Sequence, residues 1–518
     1  MSNTSKLTHE KELFGHPVGL YILFLTEMWE RFSYYGMRGI LVLYLTAKTV
    51  GENPGLGWLD AEALSLYGWY TMLVYVASIP GGIIADKIIG QKRAVMIGGL
   101  LLVAGHGILS IEEMWAFYSG LGLIVSGVGM LKPNISTLVG GLYRQGDERR
   151  DKGFSIFYIG INAGAALASL VVAFIADLYG WHAGFGLAAI GMVLGQVVYM
   201  TGQKYLVHVG NKPKPKKEEN TSDVSIGQLF KNLLTTRVPL FITAALCLFS
   251  VYWTMFKSIA YGLFFIFLSI VVGFMITIYH DLKSRVERDR YLVLLLSFII
   301  VIVFWGAFEQ AGGLMNLYAD NRTDRMLLGY EIPAAVFQFF NPFYIIVFAV
   351  PVANFWMWWK YRGKEASSLF KMANGVIIMG LGFVFMVFAS MQYETLGKSA
   401  MYWLALAYLF HTLGELCASP VALSFITKLA PVRYGALMMG VYFAATGLGN
   451  KVAGIIGESA TDAGELTIFS GITIFCVIFG VLVILLLKLL KRLTHKAEDL
   501  KRGTTSEESE GFELADKQ

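Results

Sequence analysis

Long apolar runs alternate with short polar connections along this chain. Runs of about 18–28 residues can cross a bilayer as α-helices, because the hydrocarbon core needs about 20 residues. Hydropathy predicts fourteen such helices, grouped as six, two and six. Their predicted ranges are 18–47, 63–85, 93–111, 114–141, 153–177, 183–206, 238–256, 258–281, 291–317, 333–360, 370–391, 400–428, 435–458 and 466–492. The pattern therefore predicts an all-α polytopic membrane protein.

Polar segments divide these helices into groups. The stretch 203–223 is rich in lysine and proline, which is typical of a solvated linker. The charged end of the chain, TSEESEGFELADKQ, is expected to be disordered because it has too few apolar residues to pack. The expected organisation is a cytosolic N-terminus at 1–17, a six-helix bundle at 18–206, a cytosolic linker at 207–237, a two-helix insertion at 238–281, a second six-helix bundle at 291–492 and a cytosolic tail at 493–518.

Composition agrees with a membrane protein. Of the 518 residues, 56% are hydrophobic and 15% are charged, and the mean hydropathy is +0.58, which is too apolar for a soluble chain of this length. We expect no cleavable signal peptide, because the first 15 residues are polar and the first apolar run is long and charged. Cys247, Cys417 and Cys476 lie in apolar runs and are expected to be buried thiols.

Basic residues sort the connecting loops into two sets. The basic loops lie near 87–93, 144–152, 203–217, 283–290, 360–364 and 428–433. The loops between them carry mostly acidic residues. The positive-inside rule therefore predicts that both termini are cytosolic, and an even number of helices agrees. The net charge of +5 comes from these loops, so nucleic acid is not an expected partner.

The run Leu25–Tyr44 carries charges where a membrane helix should carry none. One helical face takes its four charged residues and two of its tyrosines, namely Glu27, Glu30, Arg31, Tyr34, Tyr35 and Arg38. Four charges facing lipid would cost about 10–14 kcal/mol at about 2.5–3.5 kcal/mol each. We therefore expect this stripe to face a wet cavity inside a helix bundle. A purely structural ion pair is the alternative, and we favour function because ionisable residues within membranes mark substrate and ion pathways.

Other polar residues lie inside apolar runs. Lys132 precedes Pro133, so its charge sits beside a kink that frees backbone carbonyls. Glu309 and Glu415 are charged deep in predicted helices, and we favour function for all three ionisable residues. For polar but uncharged residues such as Asn341, the sequence leaves substrate binding and helix cross-linking equally open.

Several motifs resemble one known family. In order along the chain they are ExxERFxYYG at Glu27–Gly36, GxGxLKPN at Gly127–Asn134 and FxxxYxxxNxG at Phe154–Gly164. Together they resemble the proton-dependent oligopeptide transporter family of the major facilitator superfamily, whose inner-loop motif is similar to Gly82–Arg93. The resemblance covers essentially the whole chain. It implies a major facilitator fold of two six-helix bundles, with two additional linker helices as in prokaryotic members.

The resemblance also implies a proton-coupled symporter that imports di- and tripeptides by alternating access. A peptide zwitterion suits a site that clamps both charged ends and leaves the side chains in loose pockets. The expected proton-coupling residues are Glu27, Glu30, Arg31 and Glu309. The expected substrate-binding residues are Arg31, Tyr34, Tyr35, Arg38, Tyr75, Lys132, Tyr158, Asn162, Trp305, Glu309, Asn341, Glu415, Ser419 and Tyr442.

The resemblance also implies roles within that set, and the split of charges between the two halves is consistent with them. Arg38 and Lys132 are expected at the peptide carboxylate, whereas Glu415, with Asn162 and Asn341, is expected at the amino end. Our hypothesis is that an Arg38–Glu309 pair closes the outer side and a Lys132–Glu415 pair closes the inner side. Tyr442 replaces a tryptophan that walls the pocket in many relatives, which leaves side-chain preference open.

The expected location is the inner (plasma) membrane, with peptide, protons and membrane lipid as partners. No cofactor is expected besides the proton gradient, and no metal site, because His106, His182 and His411 lack ligand spacing. Alternatives are a transporter of the same fold for another small anion or a peptidomimetic, and a channel. A membrane enzyme would need a nucleophile–base pair or a metal cluster, neither of which the sequence indicates. Oligomeric state stays open.

Overall fold

The structure is a computed structural model of the chain, and it describes residues 11–144, 147, 149–212, 226–256 and 258–497. Most of the lysine-rich linker, at 213–225, and the predicted disordered tail beyond 497 lie outside the described residues.

Helices dominate the described chain. The first are α1 (Val18–Thr46), α2 (Asp60–Val76), α3 (Ser78–Ile84), α4 (Gln91–Leu109), α5 (Met114–Gly141), α6 (Arg149–Tyr179) and α7 (Trp181–Gly202). They are followed by α8 (Ile226–Thr235), α9 (Arg237–Phe256), α10 (Ile259–Asp281), α11 (Arg285–Phe308), α12 (Leu314–Arg322), α13 (Phe340–Tyr361), α14 (Ser368–Leu396), α15 (Met401–Leu429), α16 (Gly435–Ala463), α17 (Glu465–Leu485) and α18 (Leu487–Leu493). A π-helical turn covers Ala85–Ile89, and 3-10 turns cover Gln203–Tyr205, Glu309–Ala311, Ala334–Phe339 and Val432–Tyr434.

Six two-residue strands lie outside the helices in the described part of the chain. β1 (Glu12–Leu13) pairs antiparallel with β2 (His16–Pro17), and β4 (Met326–Leu327) pairs antiparallel with β5 (Tyr330–Glu331). β3 (Thr323–Asp324) pairs in parallel with β6 (Ser399–Ala400). These strands only fasten loops, so the fold is helical, as the apolar runs predict.

Twelve helical segments of the described chain are long and apolar enough to cross a membrane. α1 and α16 are not among them, although each has 29 residues, enough to span about 43 Å at 1.5 Å per residue. α1 carries the charged stripe, and α16 carries Asn450 and Lys451 in its middle. The count of fourteen spanning helices therefore stays a prediction.

The predicted helix at 291–317 is broken in the structure. α11 ends at Phe308, a 3-10 turn follows, and α12 begins at Leu314. Two glycines, Gly312 and Gly313, lie at the break. A Cβ on Gly312 would collide with the Tyr67 hydroxyl, so only a glycine at this position allows the backbone to lie so close to Tyr67.

The described residues group into two compact units. The first contains those of 1–216, 299–422 and 440–485, and includes every residue predicted for the site. Within it, α1 packs against α6 and α7, α4 against α5, and α14 against α17. The second contains the described parts of 217–298, 423–439 and 486–518. It holds α8, α9, α10, the first part of α11, α18 and the turn between α15 and α16.

Candidate functional site

Three charged residues of α1 form one buried cluster. Arg31 Nη2 donates to Glu30 Oε1 over 2.7 Å, and Arg31 Nε lies 3.2 Å from Glu27 Oε1. Glu27 and Arg31 are each 3% exposed, and Glu30 is completely buried. Glu27 Oε2 has no hydrogen-bond partner among the described residues. One cation thus serves two buried carboxylates, and one carboxylate oxygen is left available.

The two arginines of α1 also lie over its tyrosines. Arg31 Cζ is 5.4 Å from the centre of the Tyr34 ring and 5.7 Å from that of Tyr35. Two turns further along α1, Arg38 Cζ is 4.9 Å from the centre of the Tyr35 ring. Guanidinium groups are attracted to the negative face of an aromatic ring, more strongly where water is excluded. The predicted polar stripe is therefore one continuous surface in the structure.

Arg38 joins α1 to the turn after α11. Its Nη1 lies 3.1 Å from each of the two carboxylate oxygens of Glu309. Tyr67 of α2 donates its hydroxyl hydrogen to Glu309 Oε2, also over 3.1 Å. The pair is almost completely buried, so removal of either charge would leave the other uncompensated. Residues far apart in sequence are thereby held together by charge.

Polar and small residues tighten the contact around this pair. The carbonyl of Gly39 accepts hydrogen bonds from Asn316 Nδ2 of α12, over 2.8 Å, and from Gln338 Nε2, over 3.4 Å. On α2, a Cβ added to Gly68 would lie 2.9 Å from the Cα of Gly454 on α16. Glycines at a helix crossing allow backbones to approach this closely. The Arg38 side of the site is therefore tightly packed.

Lys132 directly precedes Pro133 inside α5. Its Nζ is 3.8 Å from the centre of the Tyr75 ring, and it also interacts electrostatically with Arg31, Glu30 and Glu27. Within the described residues Lys132 forms no salt bridge. The ammonium group is thus positioned next to the α1 cluster without a dedicated carboxylate, which leaves it able to bind an anionic group.

Glu415 of α15 has an amide partner. Asn341 Nδ2 donates to Glu415 Oε2 over 2.9 Å and to Thr412 Oγ1 over 3.1 Å. Glu415 is buried, with 9% of its surface exposed. Because an amide hydrogen bond orients the carboxylate without neutralising it, Glu415 keeps its capacity to bind a cation.

Tyr158 and Asn162 lie one turn apart on α6, as predicted. Asn162 Nδ2 donates to the Tyr158 carbonyl over 2.9 Å, so the amide hydrogen bond stays within its own helix. The Tyr158 side chain is half-exposed and interacts electrostatically with Glu415 and Tyr35. Tyr158 therefore connects the α1 stripe with the Glu415 region.

The remaining predicted residues, Trp305, Ser419 and Tyr442, come from the second half of the chain. Trp305 packs edge-on against the Phe308 ring, with ring centres 5.1 Å apart. The buried Tyr442 side chain interacts with Ser419 and with Thr446, whose hydroxyl donates to the Tyr442 carbonyl over 3.1 Å. A tyrosine with two hydroxyl-bearing neighbours makes this wall more polar than a tryptophan would.

A family model described as the POT family matches residues 92–469. The chain is 38% identical to the uncharacterized transporter YclF of Bacillus subtilis, over 94% of this chain and 97% of that protein. This chain belongs to the POT family.

Two further POT-family relatives are similar over almost their whole length. The peptide transporter YePEPT of Yersinia enterocolitica is 34% identical over 96% of this chain and 99% of the relative. The di-/tripeptide transporter of Lactococcus lactis is 33% identical, over 95% and 99%.

Solved POT structures agree with this assignment. A crystal structure of a mutant of the peptide transporter POT in complex with alafosfalin superposes with a TM-score of 0.79, at 35% identity over 93% of this chain and 97% of that one. The predicted family and the predicted major facilitator fold are thus confirmed. The chain is an integral membrane protein of a transporter family.

The arrangement of this POT-family site includes residues that the sequence did not indicate. Tyr67 lies in an unremarkable apolar run, and only the structure brings it to Glu309. Gln310 donates to the Ala453 carbonyl over 3.0 Å and fixes the broken helix against α16. Lys451 is completely buried, with Nζ 3.3 Å from Glu458 Oε1. A lysine in the middle of an apolar helix is a signal that the sequence contains, as it is for Lys132.

Proposed function

We propose that this chain is a proton-coupled symporter that imports di- and tripeptides by alternating access. The observation that carries the proposal is the separation of charge. Arg31, Arg38 and Lys132 come from the first half of the chain, and Glu309 and Glu415 come from the second. A peptide with a carboxylate at one end and an ammonium at the other can bridge the two sets. The substrates in the names of YePEPT and the Lactococcus protein support the same class.

The proposed clamp combines Lys132 and Glu415, which form no salt bridge within the described chain, with Arg38, which would have to leave Glu309. Lys132 has an aromatic neighbour in Tyr75 but no carboxylate partner in the described chain, and it would take the peptide carboxylate together with Arg38. Glu415, oriented by Asn341, would take the ammonium group. Two charge-assisted contacts at fixed ends leave the side chains free, which suits a transporter of many peptides.

Proton coupling is proposed for the α1 cluster and for Glu309. Arg31 is shared by two carboxylates, so protonation of Glu27 leaves Arg31 paired with Glu30. Glu27 Oε2 is buried and has no hydrogen-bond partner among the described residues, so it is the proposed acceptor of that proton. Protonation of Glu309 would weaken its pair with Arg38, and the two events together would link proton entry to opening.

Gating is proposed to alternate between two charge pairs. Arg38 and Glu309 are paired in the structure, whereas no salt bridge in its described part joins Lys132 to Glu415. Formation of only one pair at a time is what alternating access requires. The Arg38 side would be the outer one. We accordingly propose that the termini are cytosolic, the membrane is the inner (plasma) membrane, and no cofactor besides the proton gradient takes part.

Uptake of labelled dialanine into proteoliposomes tests this function. We expect accumulation when the outside is more acidic than the lumen, and inhibition by other dipeptides. Uptake that is equal with and without the proton gradient would refute coupling. The absence of any peptide binding would refute the substrate class.

A peptidomimetic is the second candidate, since Tyr442 with Ser419 beside it would offer a polar contact to an altered substrate. Competition of dialanine uptake by alafosfalin, which a related transporter binds in its crystal structure, tests it. Complete competition at similar concentrations would extend the range to phosphonate analogues, and no competition would exclude them.

A further inference from the structure

The two-helix insertion is an internally packed hairpin within the second compact unit. Along it, Thr243 lies opposite Gly273, Ser250 opposite Ser269, and Thr254 opposite Gly262. Along the contact the residue numbers increase on α9 and decrease on α10, so the two helices run antiparallel. The Ser250 and Ser269 hydroxyls are 3.3 Å apart at its centre. Small and hydroxylated residues at the contact make a close, well-defined helix pair.

Asp281, the last residue of α10, fastens this hairpin to the turn between α15 and α16. Its Oδ2 accepts a hydrogen bond from the Tyr434 hydroxyl over 2.7 Å and lies 3.2 Å from Arg433 Nη1. Arg433 Nη2 also lies 3.5 Å from the Asp281 carbonyl. Tyr434 is only 1% exposed, so its hydroxyl depends on Asp281 for a partner.

A second contact fixes the hairpin to the start of α11. The hydroxyl of Tyr291, a completely buried residue, donates to the Met275 carbonyl over 3.1 Å. Arg288 Nε donates to the Leu282 carbonyl over 2.8 Å, directly after the end of α10. The end of the insertion is therefore held on both sides within this unit.

The turn held by Asp281 belongs to the helices that carry the peptide site. Glu415 lies 14 residues before the end of α15, about 21 Å along the helix axis at 1.5 Å per residue. Tyr442 lies seven residues after the start of α16, about 11 Å along its axis. α16 has no proline between the turn and Tyr442, whereas Pro420 lies between Glu415 and the turn in α15. The turn is thus the common end of the two helices that carry Glu415 and Tyr442, and α16 is the more direct connection to the site.

We propose that the insertion acts as a brace: it holds the linked ends of α15 and α16 in position, and thereby supports the inner gate, the proposed Lys132–Glu415 pair. Asp281 is the positioning residue of this brace. The Asp281 carboxylate holds Arg433 and Tyr434, so the ends of α15 and α16 move as one piece with the hairpin. This inference rests on the proposed transport function for its kinetic consequence, but the brace itself is a property of the second unit. The partly exposed ion pair between Arg433 and Asp281 would by itself contribute little to stability. The hydrogen bond from the buried Tyr434 hydroxyl to Asp281 is the decisive contact.

Kinetics of dialanine uptake test the positioning role. We expect Asp281→Ala and Tyr434→Phe each to lower kcat per folded molecule about threefold or more with KM unchanged, because binding residues stay in place while the moving part loosens. Asp281→Asn retains an acceptor for Tyr434 and should recover most of the rate. The control is Lys283→Ala, an exposed neighbour that should transport normally. Unchanged kcat in both Asp281→Ala and Tyr434→Phe would overturn the proposal.

A distance measurement between the hairpin and the end of α15 tests the brace independently of transport activity. Spin labels at Lys283→Cys and Lys428→Cys, both exposed, report on the hairpin and on the end of α15 in a background without native cysteines. We expect a narrow distance distribution that dialanine does not change, and a broader one after Asp281→Ala. A distribution that is equally narrow in Asp281→Ala would overturn the brace. If the unmodified protein failed to transport dialanine, the proposed function would fail while this comparison still tested the brace.

Discussion

Tyr67 donates its hydroxyl hydrogen to Glu309, the carboxylate that Arg38 also holds, over 3.1 Å. This places a neutral donor from α2 on the same oxygen atom that the arginine approaches. The carboxylate therefore has two donors from the first half of the chain, and both must leave it when the helices separate.

Removal of the Tyr67 hydroxyl should weaken the closed arrangement in which Glu309 is held by Arg38 and Tyr67. A hydrogen bond to a charged group contributes about 1.5–3 kcal/mol, so we expect Tyr67→Phe to lower proton-driven dialanine uptake about tenfold. Tyr70→Phe is the matched control, because Tyr70 is buried on the same helix and its hydroxyl has no partner among the described residues. Equal effects of the two substitutions would contradict a specific role for Tyr67.

Loss of the Glu27 carboxylate should separate coupling from translocation. Glutamine keeps the size of the side chain but can no longer exchange a proton, while Arg31 keeps Glu30 as its partner. We expect Glu27→Gln to abolish uptake driven by a proton gradient and to retain dialanine counterflow. Glu112→Gln, at an exposed position, should retain both activities. Equal loss of both activities in Glu27→Gln would count against a role confined to coupling.

The amino-end assignment predicts a change in affinity. We expect Glu415→Gln to weaken dialanine binding by about 10- to 100-fold, since a charged hydrogen bond contributes about 1.5–3 kcal/mol. Asn341→Ala, which removes only the orienting amide, should have a smaller effect. N-acetyl-dialanine lacks the ammonium group and should bind the original protein and Glu415→Gln alike. Unchanged dialanine affinity in Glu415→Gln, measured by calorimetry, would refute the assignment.

The helix crossing at Gly68 should be sensitive to a single methyl group. In Gly68→Ala the new Cβ would lie 2.9 Å from the Cα of Gly454, so α2 and α16 would have to move apart. We expect a folded protein with strongly reduced uptake, because the Arg38 side no longer closes. Gly122→Ala is the control, since a Cβ there meets nothing within 4 Å. Normal uptake by Gly68→Ala would show that the close approach is not required.

The sequence predicted the elements of this fold well because apolar runs of spanning length are a local property. The predicted 114–141 coincides with α5, and 18–47 with α1 apart from its last residue. The polar stripe on α1 could likewise be predicted, since helical spacing alone brings Glu27, Glu30 and Arg31 together. The break of the predicted helix at 291–317 was not, because it depends on how closely Tyr67 approaches Gly312.

The sequence by itself therefore determined the helices, the charged stripe and the family. The Arg38–Glu309 pair was a hypothesis before the structure, and the structure contains it. Only the tertiary structure decided that Glu415 meets Asn341 and that Lys132 lies over an aromatic ring instead of pairing with Glu415. The reason is physical. Helical periodicity acts over a few residues, whereas an ion pair between Arg38 and Glu309 depends on the packing of helices that lie far apart in the chain. The role of Tyr67 and the fastening of Asp281 to Tyr434 belong to the same class of long-range contacts.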